Sequence, residues 1–579
     1  MVHRPATPAT EAVRHARDFL IAHATDLDAA REGFRWPDLA QFNFALEWFD
    51  VIAAEHPDRP AVMIADEAGV TRSWSYGDLA QRSDQVANWL TGLGMKRGDA
   101  MLVMLPNTIE LWEVMLGLLK VGGVAVPTSI LLSPGDLEFR ASTSHARFAI
   151  APSTYARRFG TVGRTVTMIA LGASTPDGWN NFDDSFTYSD QYEPERPTDG
   201  DETSLLYFTS GTTSHPKLVR HTHTTYPVGH LSTLYWLGLR PGDIHLNISS
   251  PGWAKHAWSS FFAPFLAEAT VFIMGYDRFD AASLIETLNR HHVTTFCAPP
   301  TVWRMLVQTD LTAVTHPPRE VLGAGEALNP EIIAQVRRAW GVTIRDGFGQ
   351  TEMTCAVGNT PGQPVKAGSM GRPMPGYTVV LVDPATGTPT TGEGEICLDL
   401  TAAYPLSPEY VDDPAMTSAS RHDGYYHTGD LATCDEEGYL TYVGRTDDVF
   451  KASGYKISPF ELESILLEHP DVTEVAVVAS PDPVRAAVPK AFVRLSDQAS
   501  APVLDVARGI FEHARHRLSG HEVVRIVEFV TELPKTISGK IRRAELRQQE
   551  ALRVERDEHS DMEYREKDFR AGGIYAIHP

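Results

Sequence analysis

The chain has 579 residues, of which 43% are hydrophobic and 22% are charged. This length predicts two or more folded domains, and the composition is that of a globular protein, which excludes wholesale disorder. Lys and Arg total 51 against 74 Asp and Glu, which gives a net charge of −23. Because binding to nucleic acid or to an anionic membrane needs a positive surface, this charge argues against both classes of partner. Small polyanions held by local donors remain compatible with it.

Cysteine usage and hydropathy indicate a cytoplasmic protein. Cys297, Cys355, Cys397 and Cys434 lie far apart and lack the spacing of metal ligands. This pattern predicts free thiols in a reducing compartment. The most apolar stretch, 101–132, is interrupted by prolines and charged residues, so we expect no membrane span, and the first twenty residues lack the apolar core of a signal peptide.

Short apolar runs alternate with helical patterns over most of the chain. The run 100–105 predicts a buried strand, residues 110–120 have apolar positions at helical spacing, and 121–126 returns to a strand. The same pattern predicts further strands at 244–248, 271–274, 294–297 and 342–344. This alternation is typical of an α/β fold in which helices cover both faces of parallel sheets.

The pattern changes near residue 445, after a charged stretch at 444–448. Beyond it we predict an amphipathic helix at 459–467, strands at 472–479 and 491–493, and a helix at 506–518. About a hundred residues with an α/β pattern of their own are enough for a small domain. We therefore place a large domain at 1–446, a small domain at 447–547 and a charged tail, helical or frayed, at 548–579.

The segment 206–217, LYFTSGTTSHPK, joins an apolar strand to a loop of small hydroxyl residues, a glycine and a lysine. Backbone N–H groups, hydroxyls and an ammonium in such a loop form an anion site that suits a triphosphate. The spacing is not that of a Walker A loop. An ordinary Ser/Thr/Gly turn is the alternative for this segment alone.

Three other segments favour the nucleotide interpretation. DGFGQTE (346–352) offers Phe348 for stacking on a base and Glu352 as an oxygen ligand for Mg²⁺. YHTGD (426–430) offers the carboxylate of Asp430 for a ribose diol, and PKTISGK (534–540) ends in Lys540. A core Phe, surface acids and a surface lysine are the structural alternatives. The occurrence of all four segments in this order argues against them.

These segments resemble the core motifs of the acyl-adenylate-forming, or AMP-binding, superfamily. GAGEAL (323–328) and GRTDDVFKASGYKISPFELE (444–463) also match, so the resemblance extends over about 42–547. FNFALEWFD (42–50) and GWAKHAWSSFF (252–262) are most similar to medium-chain acyl-CoA synthetases. The chain departs from the family at Ser214 and Leu218, where glycines are usual, and at Phe348, where Tyr or Trp is common.

The resemblance implies an AMP-forming acid–thiol ligase. Such an enzyme activates a carboxylic acid with ATP to an acyl-AMP and then forms a thioester with coenzyme A, with Mg²⁺ as cofactor. The implied fold is a large domain of helix-covered mixed and parallel sheets, with a small β-barrel-like part, followed by a small mobile α/β domain. Because similar enzymes include dimers, we also consider a homodimer.

The family's functional residues carry over position by position. The implied catalytic residues are Lys217, Thr351, Glu352 and Lys540. Lys540 would bridge the acid and the α-phosphate, Thr351 would contact that phosphate, and Glu352 would bind Mg²⁺. The remaining implied ATP and AMP contacts are Thr209, Ser210, Gly211, Thr212 and Thr213 for the phosphates, Gly325, Glu326, Ala327, Asp346, Gly347, Phe348, Gly349 and Gln350 for the adenine, and Asp430 and Arg445 for the ribose.

The resemblance also implies a movement of the small domain about Asp447. This rotation would withdraw Lys540 after adenylation and bring Ser453, Gly454 and Tyr455 to the pantetheine tunnel of coenzyme A. A glycine at 454 suits such a tunnel, because a side chain would obstruct the thiol arm.

The acid itself is less constrained by the sequence. Acetyl-CoA synthetases carry a Trp where Gly349 stands here, so we expect room for a longer acid. The candidate acyl pocket consists of Trp253, Ala254, Lys255, His256, Trp258, Ala324 and Gly349. Lys255 and His256 are either contacts for a polar group such as a 2-hydroxyl, or a solvated lysine and a hydrogen-bonded core histidine. Short- to medium-chain acids, including branched and 2-hydroxy acids, are expected, and a benzoate-type aromatic acid is the alternative.

Three other functions share the nucleotide motifs. An enzyme that loads a carrier-protein thiol would form no thioester with coenzyme A alone. A luciferase-like enzyme would emit light with luciferin. A non-catalytic nucleotide-binding relative would fail to exchange pyrophosphate into ATP, but the presence of Lys217, Glu352 and Lys540 argues against it.

Overall fold

The computed structural model describes residues 4–160, 162–209, 216–276, 278–325, 328, 330–402, 405–452, 455–483, 485–496, 499, 501–518, 523–535 and 540–571. These residues belong to two compact units. The first unit comprises 1–380, 397–427 and 435–441, and the second comprises 381–396, 428–434 and 442–579. The boundaries between the two units fall within four strands, Val379–Asp383, Glu393–Asp399, Tyr425–Cys434 and Leu440–Arg445.

The described strands, in chain order, are β1 (Pro60–Ala65), β2 (Thr71–Ser75), β3 (Ala100–Val103), β4 (Val124–Pro127), β5 (Phe148–Pro152), β6 (Thr167–Leu171), β7 (Asn180–Asn181), β8 (Thr203–Thr209), β9 (Lys217–Thr222), β10 (Ile244–Asn247), β11 (Thr270–Met274), β12 (Thr295–Ala298), β13 (Glu320–Ala324), β14 (Arg345–Phe348), β15 (Val357–Gly358), β16 (Ser369–Pro373), β17 (Val379–Asp383), β18 (Thr388–Pro389), β19 (Glu393–Asp399), β20 (Arg421–His422), β21 (Tyr425–Cys434), β22 (Leu440–Arg445), β23 (Phe450–Ala452), β24 (Tyr455–Ile457), β25 (Val472–Asp482), β26 (Ala486–Leu495), β27 (Ile526–Phe529) and β28 (Glu563–Arg565).

The described α-helices are α1 (Pro8–Ala22), α2 (Leu27–Gly33), α3 (Asp50–Glu55), α4 (Tyr76–Gly92), α5 (Ile109–Val121), α6 (Pro134–Thr143), α7 (His230–Leu237), α8 (Ala254–Ala257), α9 (Ala263–Leu266), α10 (Ala281–His291), α11 (Pro300–Leu306), α12 (Pro330–Trp340), α13 (Pro414–Ser420), α14 (Pro459–Leu466), α15 (Val503–Arg517), α16 (Arg543–Glu555) and α17 (Glu566–Ala571). Two π-helical turns, Phe44–Phe49 and Trp258–Phe262, lie inside the two segments that resemble medium-chain acyl-CoA synthetases. Among the described residues, no helix combines the length and the apolar character that a membrane crossing requires.

The first unit contains two mixed sheets. One has the order β7-β6-β5-β3-β4-β8-β9, and its strands run parallel except for β9. The other has the order β2-β1-β11-β10-β12-β13-β14-β15-β16, in which β1 and β10 to β14 are parallel. The α/β class of the prediction, with helix-covered mixed sheets and a smaller α/β part, is confirmed.

Apolar side chains on both faces of these strands explain their continuous hydrophobic runs. In β3, Met101 and Val103 join one buried core, whereas Leu102 joins another. In β13, Leu322 faces the same core as Met101, and Val321 faces away from it. The largest core therefore lies between the two sheets, as expected for strands buried on both faces.

The strand predicted at 342–344 is displaced in the structure. Residues 342–344 are irregular, and β14 begins at Arg345. The register with β13 pairs Leu322 with Arg345 and Gly323 with Asp346, so two charged residues lie inside a parallel ladder. Arg345 is accommodated because Glu320 accepts from its guanidinium at 2.8 Å. Hydropathy does not detect such a strand.

The second unit has a four-stranded sheet of order β25-β26-β27-β28. Two cores cover its faces, with Val475 and Val477 on one side and Ala476 and Val478 on the other. The described part of the predicted tail, 548–571, is folded here, because α16 continues to Glu555 and β28 pairs with β27.

A buried lysine connects this C-terminal segment to the sheet of the second unit. The Lys490 ammonium, on β26, lies 2.6 Å from Glu550, 2.8 Å from Glu528 and 2.8 Å from Glu563. The lysine is 1% exposed. Since an isolated buried charge is costly, the three carboxylates and the ammonium depend on one another.

Candidate active site

Two neighbouring parallel strands of the first unit carry the two motifs that are predicted to bind adenine. Ala324 at the end of β13 pairs with Gly347 in β14, so the carboxyl ends of both strands lie at one sheet edge, where open α/β sheets bind ligands. Gly325 follows with a φ of 110°, which other residues rarely adopt. At Gly347, a Cβ would lie 2.6 Å from Trp236, so only glycine allows this close packing.

Asp346, the predicted partner of the adenine amino group, is buried in β14. Its Oδ1 accepts from the Gly347 amide at 2.8 Å, and its backbone carbonyl accepts from the Trp236 indole at 3.2 Å. Burial raises the pKa of Asp346 to about 7, although the amide donors of Gly347 and Leu328 oppose this shift. The carboxyl group therefore changes charge near neutral pH.

The predicted phosphate loop is the connection of a β-hairpin. Thr209 at the end of β8 pairs with Lys217 at the start of β9. The connecting residues Ser210, Gly211, Thr212 and Thr213 lie outside the described residues, as do Glu326, Ala327, Ser453 and Gly454. The Lys217 ammonium lies 3.3 Å from Met416 Sδ and 5.5 Å from the centre of the Tyr410 ring.

Glu352, the predicted magnesium ligand, is almost completely buried. Tyr410 donates its hydroxyl hydrogen to Glu352 Oε1 at 2.8 Å. Burial and the nearby carboxylate raise the pKa of Tyr410, so the phenol keeps its proton and acts as the donor. Nothing in the sequence motifs pointed to Tyr410, because it contacts Glu352 only through the fold.

Thr351 is held from its backbone by a buried histidine. His221 Nε2 lies 2.7 Å from the carbonyl oxygen of Thr351. Burial lowers the pKa of His221 to about 4, so the ring is neutral near pH 7 and Nε2 carries its hydrogen toward this acceptor. Gln350 is held through its side chain, which accepts from the Tyr426 hydroxyl at 2.9 Å.

Two contacts join candidate acyl residues, Trp258 with Gly349 and Lys255 with Ala324. Trp258 begins a π-helical turn and donates its indole hydrogen to the Tyr226 hydroxyl at 2.6 Å. A Cβ at Gly349 would lie 2.3 Å from Trp258 Cη2 and 2.3 Å from the Thr354 carbonyl oxygen. The structure thus differs from the expectation of open space beside Gly349: Trp258 fills it. Any room for the acid extends away from this contact.

Lys255 and His256 have different environments. The Lys255 ammonium lies 3.4 Å from the carbonyl oxygen of Ala324 and has no ion pair among the described residues. Burial lowers its pKa, and contacts with the Cys297 thiol oppose this shift. His256 Nε2 bonds Asn107 Oδ1 at 2.8 Å, and burial lowers its pKa to about 3. His256 therefore matches the structural alternative, whereas Lys255 does not.

Trp253 and Ala254 complete the candidate acyl segment at the start of α8. Trp253 is the residue before this helix, and Ala254 is its first residue. The Trp253 indole nitrogen is buried and has no hydrogen-bond partner among the described side chains and backbone. A buried donor without a partner is uncommon in folded proteins.

In the second unit, the two predicted ribose ligands lie together. Asp430 on β21 is buried, and Arg445 Nη1 at the end of β22 lies 3.4 Å from its Oδ2. The Tyr442 hydroxyl donates to Asp430 Oδ1 at 3.3 Å. Burial lowers the pKa of Arg445, but the carboxylates of Asp430 and Asp447 outweigh this effect and hold the pKa above its ordinary value. Arg445 Nε lies 3.5 Å from Asp447 Oδ1, which links the predicted hinge to this pair.

Lys540 and Tyr455 lie on exposed segments of the second unit. Lys540 is exposed and stands between Lys535 and Ile541, which form an isolated β-bridge. Tyr455 is the first residue of β24 and is 54% exposed, opposite Ala452. Both side chains are accessible within their own unit.

Comparison with known proteins identifies the chemistry. The AMP-binding enzyme family matches residues 49–402, and the AMP-binding enzyme C-terminal domain matches residues 461–540. Acyl-coenzyme A synthetase ACSM3, mitochondrial, of Mus musculus is 36% identical over 542 residues, covering 91% of this chain and 93% of that protein. 4-Hydroxybutyrate–CoA ligase 1 of Metallosphaera sedula is 40% identical over 548 residues, covering 91% and 94%.

Solved structures agree with these relatives. The anthranilate CoA ligase AuaEII in complex with anthranoyl-AMP has a TM-score of 0.80 at 27% identity, covering 89% of this chain and 98% of that one. The acyl-CoA synthetase of Brucella canis has a TM-score of 0.69 at 31% identity, covering 93% and 99%. The resemblance found in the motifs is thereby confirmed. The chain belongs to the AMP-binding enzyme family and is an AMP-forming acid–thiol ligase, an acyl-CoA synthetase with ATP and coenzyme A as co-substrates.

Proposed function

We propose that the preferred substrate is a short- to medium-chain acid that carries a hydroxyl or a similar acceptor on its acyl chain. The observation that carries this proposal is the Lys255 ammonium, which lies at the end of β13 beside Ala324 without an ion pair among the described residues. Lys255 is half-buried, and a substrate acceptor would stabilise an ammonium that is partly removed from water. The relative named 4-hydroxybutyrate–CoA ligase 1 supports the same class of acid.

An aromatic acid is the second candidate. The likeness to an anthranilate CoA ligase supports it, since anthranilate is a benzoate that bears an amino group. Trp258 and Phe348 offer aromatic faces near Gly349, against which a ring can pack. The two classes of acid differ in shape: a hydroxy acid would place a flexible chain beside Trp258, whereas an aromatic acid would place a flat ring there.

The first half-reaction requires charge stabilisation more than covalent catalysis. An acid carboxylate attacks the α-phosphate, and pyrophosphate leaves. In this proposal Lys217 binds the outer phosphates, Thr351 contacts the α-phosphate, and Lys540 contributes an ammonium to the reacting groups. Asp430 and Arg445 bind the ribose, and Asp346 and Phe348 bind the adenine.

The donor set around Glu352 fits Mg²⁺. Glu352 is a buried carboxylate whose Oε1 accepts from Tyr410, and it has no cationic partner among the described residues. A hard cation prefers such oxygen ligands together with phosphate oxygens. Glu352 would hold the ion, which when bound neutralises charge on the transferring phosphate groups.

The second half-reaction belongs to the segment after Asp447. We propose domains at 1–446 and 447–547, followed by the 548–579 segment, with Asp447 as the hinge and Ser453, Gly454 and Tyr455 as contacts for coenzyme A. Cytoplasmic location and a homodimer belong to the same proposal. Fractionation of cells and sedimentation of the purified chain test these last two points.

Acid-dependent exchange of labelled pyrophosphate into ATP tests the acid. The panel contains linear, branched, 2-hydroxy, 4-hydroxy and aromatic acids, each followed by a coenzyme A thioester assay. Lys255→Met keeps the length of the side chain and removes its charge. We expect it to lower kcat/KM for hydroxy acids while sparing unsubstituted acids of equal length. An equal loss for both kinds of acid would contradict the assignment of Lys255.

A further inference from the structure

Two functional side chains of the first unit, Glu352 and Lys217, contact one buried tyrosine, Tyr410. The Tyr410 hydroxyl donates to Glu352 Oε1 at 2.8 Å, and the Lys217 ammonium lies 5.5 Å from the centre of the Tyr410 ring. The second distance is within the range of a cation–π interaction. Tyr410 is 6% exposed and Glu352 is 8% exposed, so the hydrogen bond between them is shielded from water, whereas Lys217 is half-buried.

This arrangement keeps two opposite charges apart. In the part of the chain that the structure describes, Lys217 and Glu352 form no ion pair with each other, and Lys217 contacts Met416 Sδ at 3.3 Å instead. A direct pair would neutralise the carboxylate that a metal ion needs and the ammonium that phosphates need. Tyr410 offers each of them a different partner, a hydroxyl for the carboxylate and a ring face for the cation.

The hydrogen bond also selects the oxygen atom that remains for a ligand. Because Oε1 accepts from the phenol, the Glu352 carboxylate is fixed in rotation and Oε2 is the oxygen left for a cation. The backbone of the same residue is fixed as well, since the Ser407 amide donates to the Glu352 carbonyl at 2.7 Å. Residues 407–410 therefore orient both ends of Glu352.

The geometry points to Tyr410 as a positioning residue for the metal–nucleotide complex. Its hydroxyl orients Glu352 toward a divalent cation, and its ring holds the Lys217 ammonium ready for the phosphates. This inference rests on the proposed roles of Lys217 and Glu352. Tyr410 itself touches neither substrate nor metal in this assignment.

Two substitutions separate the two contacts. Tyr410→Phe removes the hydroxyl and keeps the ring, whereas Tyr410→Leu removes both. Tyr439→Phe is the matched control, because the Tyr439 hydroxyl donates to the Pro364 carbonyl at 2.7 Å and the Lys366 ammonium lies 4.5 Å from its ring centre. Tyr439 thus has the same kinds of contact without a carboxylate acceptor.

The experiment measures the affinity of the full chain for Mn²⁺ in the presence of a non-hydrolysable ATP analogue. Electron paramagnetic resonance detects the bound Mn²⁺. Since a hydrogen bond to a charged group contributes about one to two powers of ten in affinity, we expect Tyr410→Phe to raise the Mn²⁺ dissociation constant at least about tenfold. Affinity for the analogue without metal falls only in Tyr410→Leu. Tyr439→Phe leaves both affinities at the wild-type value.

A double-mutant cycle excludes a purely structural effect. In the Glu352→Gln background, Tyr410→Phe should cause no further loss of Mn²⁺ affinity, because the carboxylate it orients is gone. Circular dichroism confirms that each variant is folded. The inference is overturned if Tyr410→Phe binds Mn²⁺ with wild-type affinity. It is also overturned if Tyr410→Phe lowers the Mn²⁺ affinity as much in the Glu352→Gln background as in the wild type. Absence of acid-dependent pyrophosphate exchange in the wild type contradicts the proposed function instead, and the metal measurement distinguishes the two.

Discussion

Truncation of Trp258 tests whether the contact with Gly349 limits the length of the acid. Trp258 is 6% exposed, and its indole lies where a side chain at 349 would stand, only 2.3 Å from the position of a Cβ. Trp258→Ala removes this wall and the hydrogen bond to Tyr226. Loss of a buried Trp costs about 3–5 kcal/mol of unfolding free energy, and the space it leaves is apolar.

We expect Trp258→Ala to raise kcat/KM for longer acids relative to shorter ones. Burial of each additional methylene contributes about 0.8 kcal/mol, which is about fourfold in kcat/KM. If the vacated space accepts about two more methylenes, the preference for the longer acid over the shorter one rises about fifteenfold. The assay is pyrophosphate exchange with a series of linear acids, from which the ratio of kcat/KM values is taken.

Trp303→Ala is the matched control for this prediction. Trp303 is completely buried in a different core of the first unit, and its indole donates to the Leu322 carbonyl at 3.0 Å. This variant should lose a similar unfolding free energy, measured by urea denaturation, without changing the chain-length profile. If Trp258→Ala shows the same unchanged profile as the control, the reasoning about the acyl pocket is refuted.

Three further predictions concern other parts of the chain. Lys540→Ala should abolish acyl-AMP formation and spare thioester formation from supplied acyl-AMP, measured as two separate half-reactions. Because burial raises the pKa of Asp346 to about 7 and the unfolded chain ionises near 4, this group lowers the unfolding free energy as pH rises from about 4 to 7. ATP KM should fall over the upper part of that range as the carboxylate forms, and Asp346→Asn should flatten both profiles. Lys490→Met removes the ammonium shared by Glu528, Glu550 and Glu563 and should cost about 3–5 kcal/mol, measured by urea denaturation with far-UV circular dichroism. Arg553 and Arg565 still pair with Glu528 and Glu563, whereas the buried Glu550 loses its cation and keeps the Ser480 hydroxyl.

Each of these predictions has an outcome that contradicts it. Equal loss of both half-reactions in Lys540→Ala would show that the lysine is not confined to adenylation. If the Asp346→Asn variant keeps the wild-type pH dependence of the unfolding free energy and of the ATP KM, the Asp346 carboxyl group is not the cause of that dependence. All tryptophans stand at or before residue 340, so fluorescence reports on the first unit. A Lys490→Met effect seen by fluorescence but not by circular dichroism would place the destabilisation outside the second unit.

The sequence predicted regular elements best where hydrophobic periodicity and burial agree. The strand and helix predicted at 100–105 and 110–120 correspond to Ala100–Val103 and Ile109–Val121. In contrast, β14 was missed by three residues, because Arg345 is compensated by Glu320 through the fold. A charged residue whose partner is distant in sequence has no local signal.

The sequence by itself determined the family and the chemistry, because the residues that bind a nucleotide recur as short contiguous motifs. Tertiary structure decided which side chains surround those motifs. Tyr410 meets Glu352 from 58 positions away, and Trp258 fills the space beside Gly349, which the sequence predicted to be open. Such contacts depend on the packing of side chains at close range, and close packing is a property of the assembled core that no local pattern encodes.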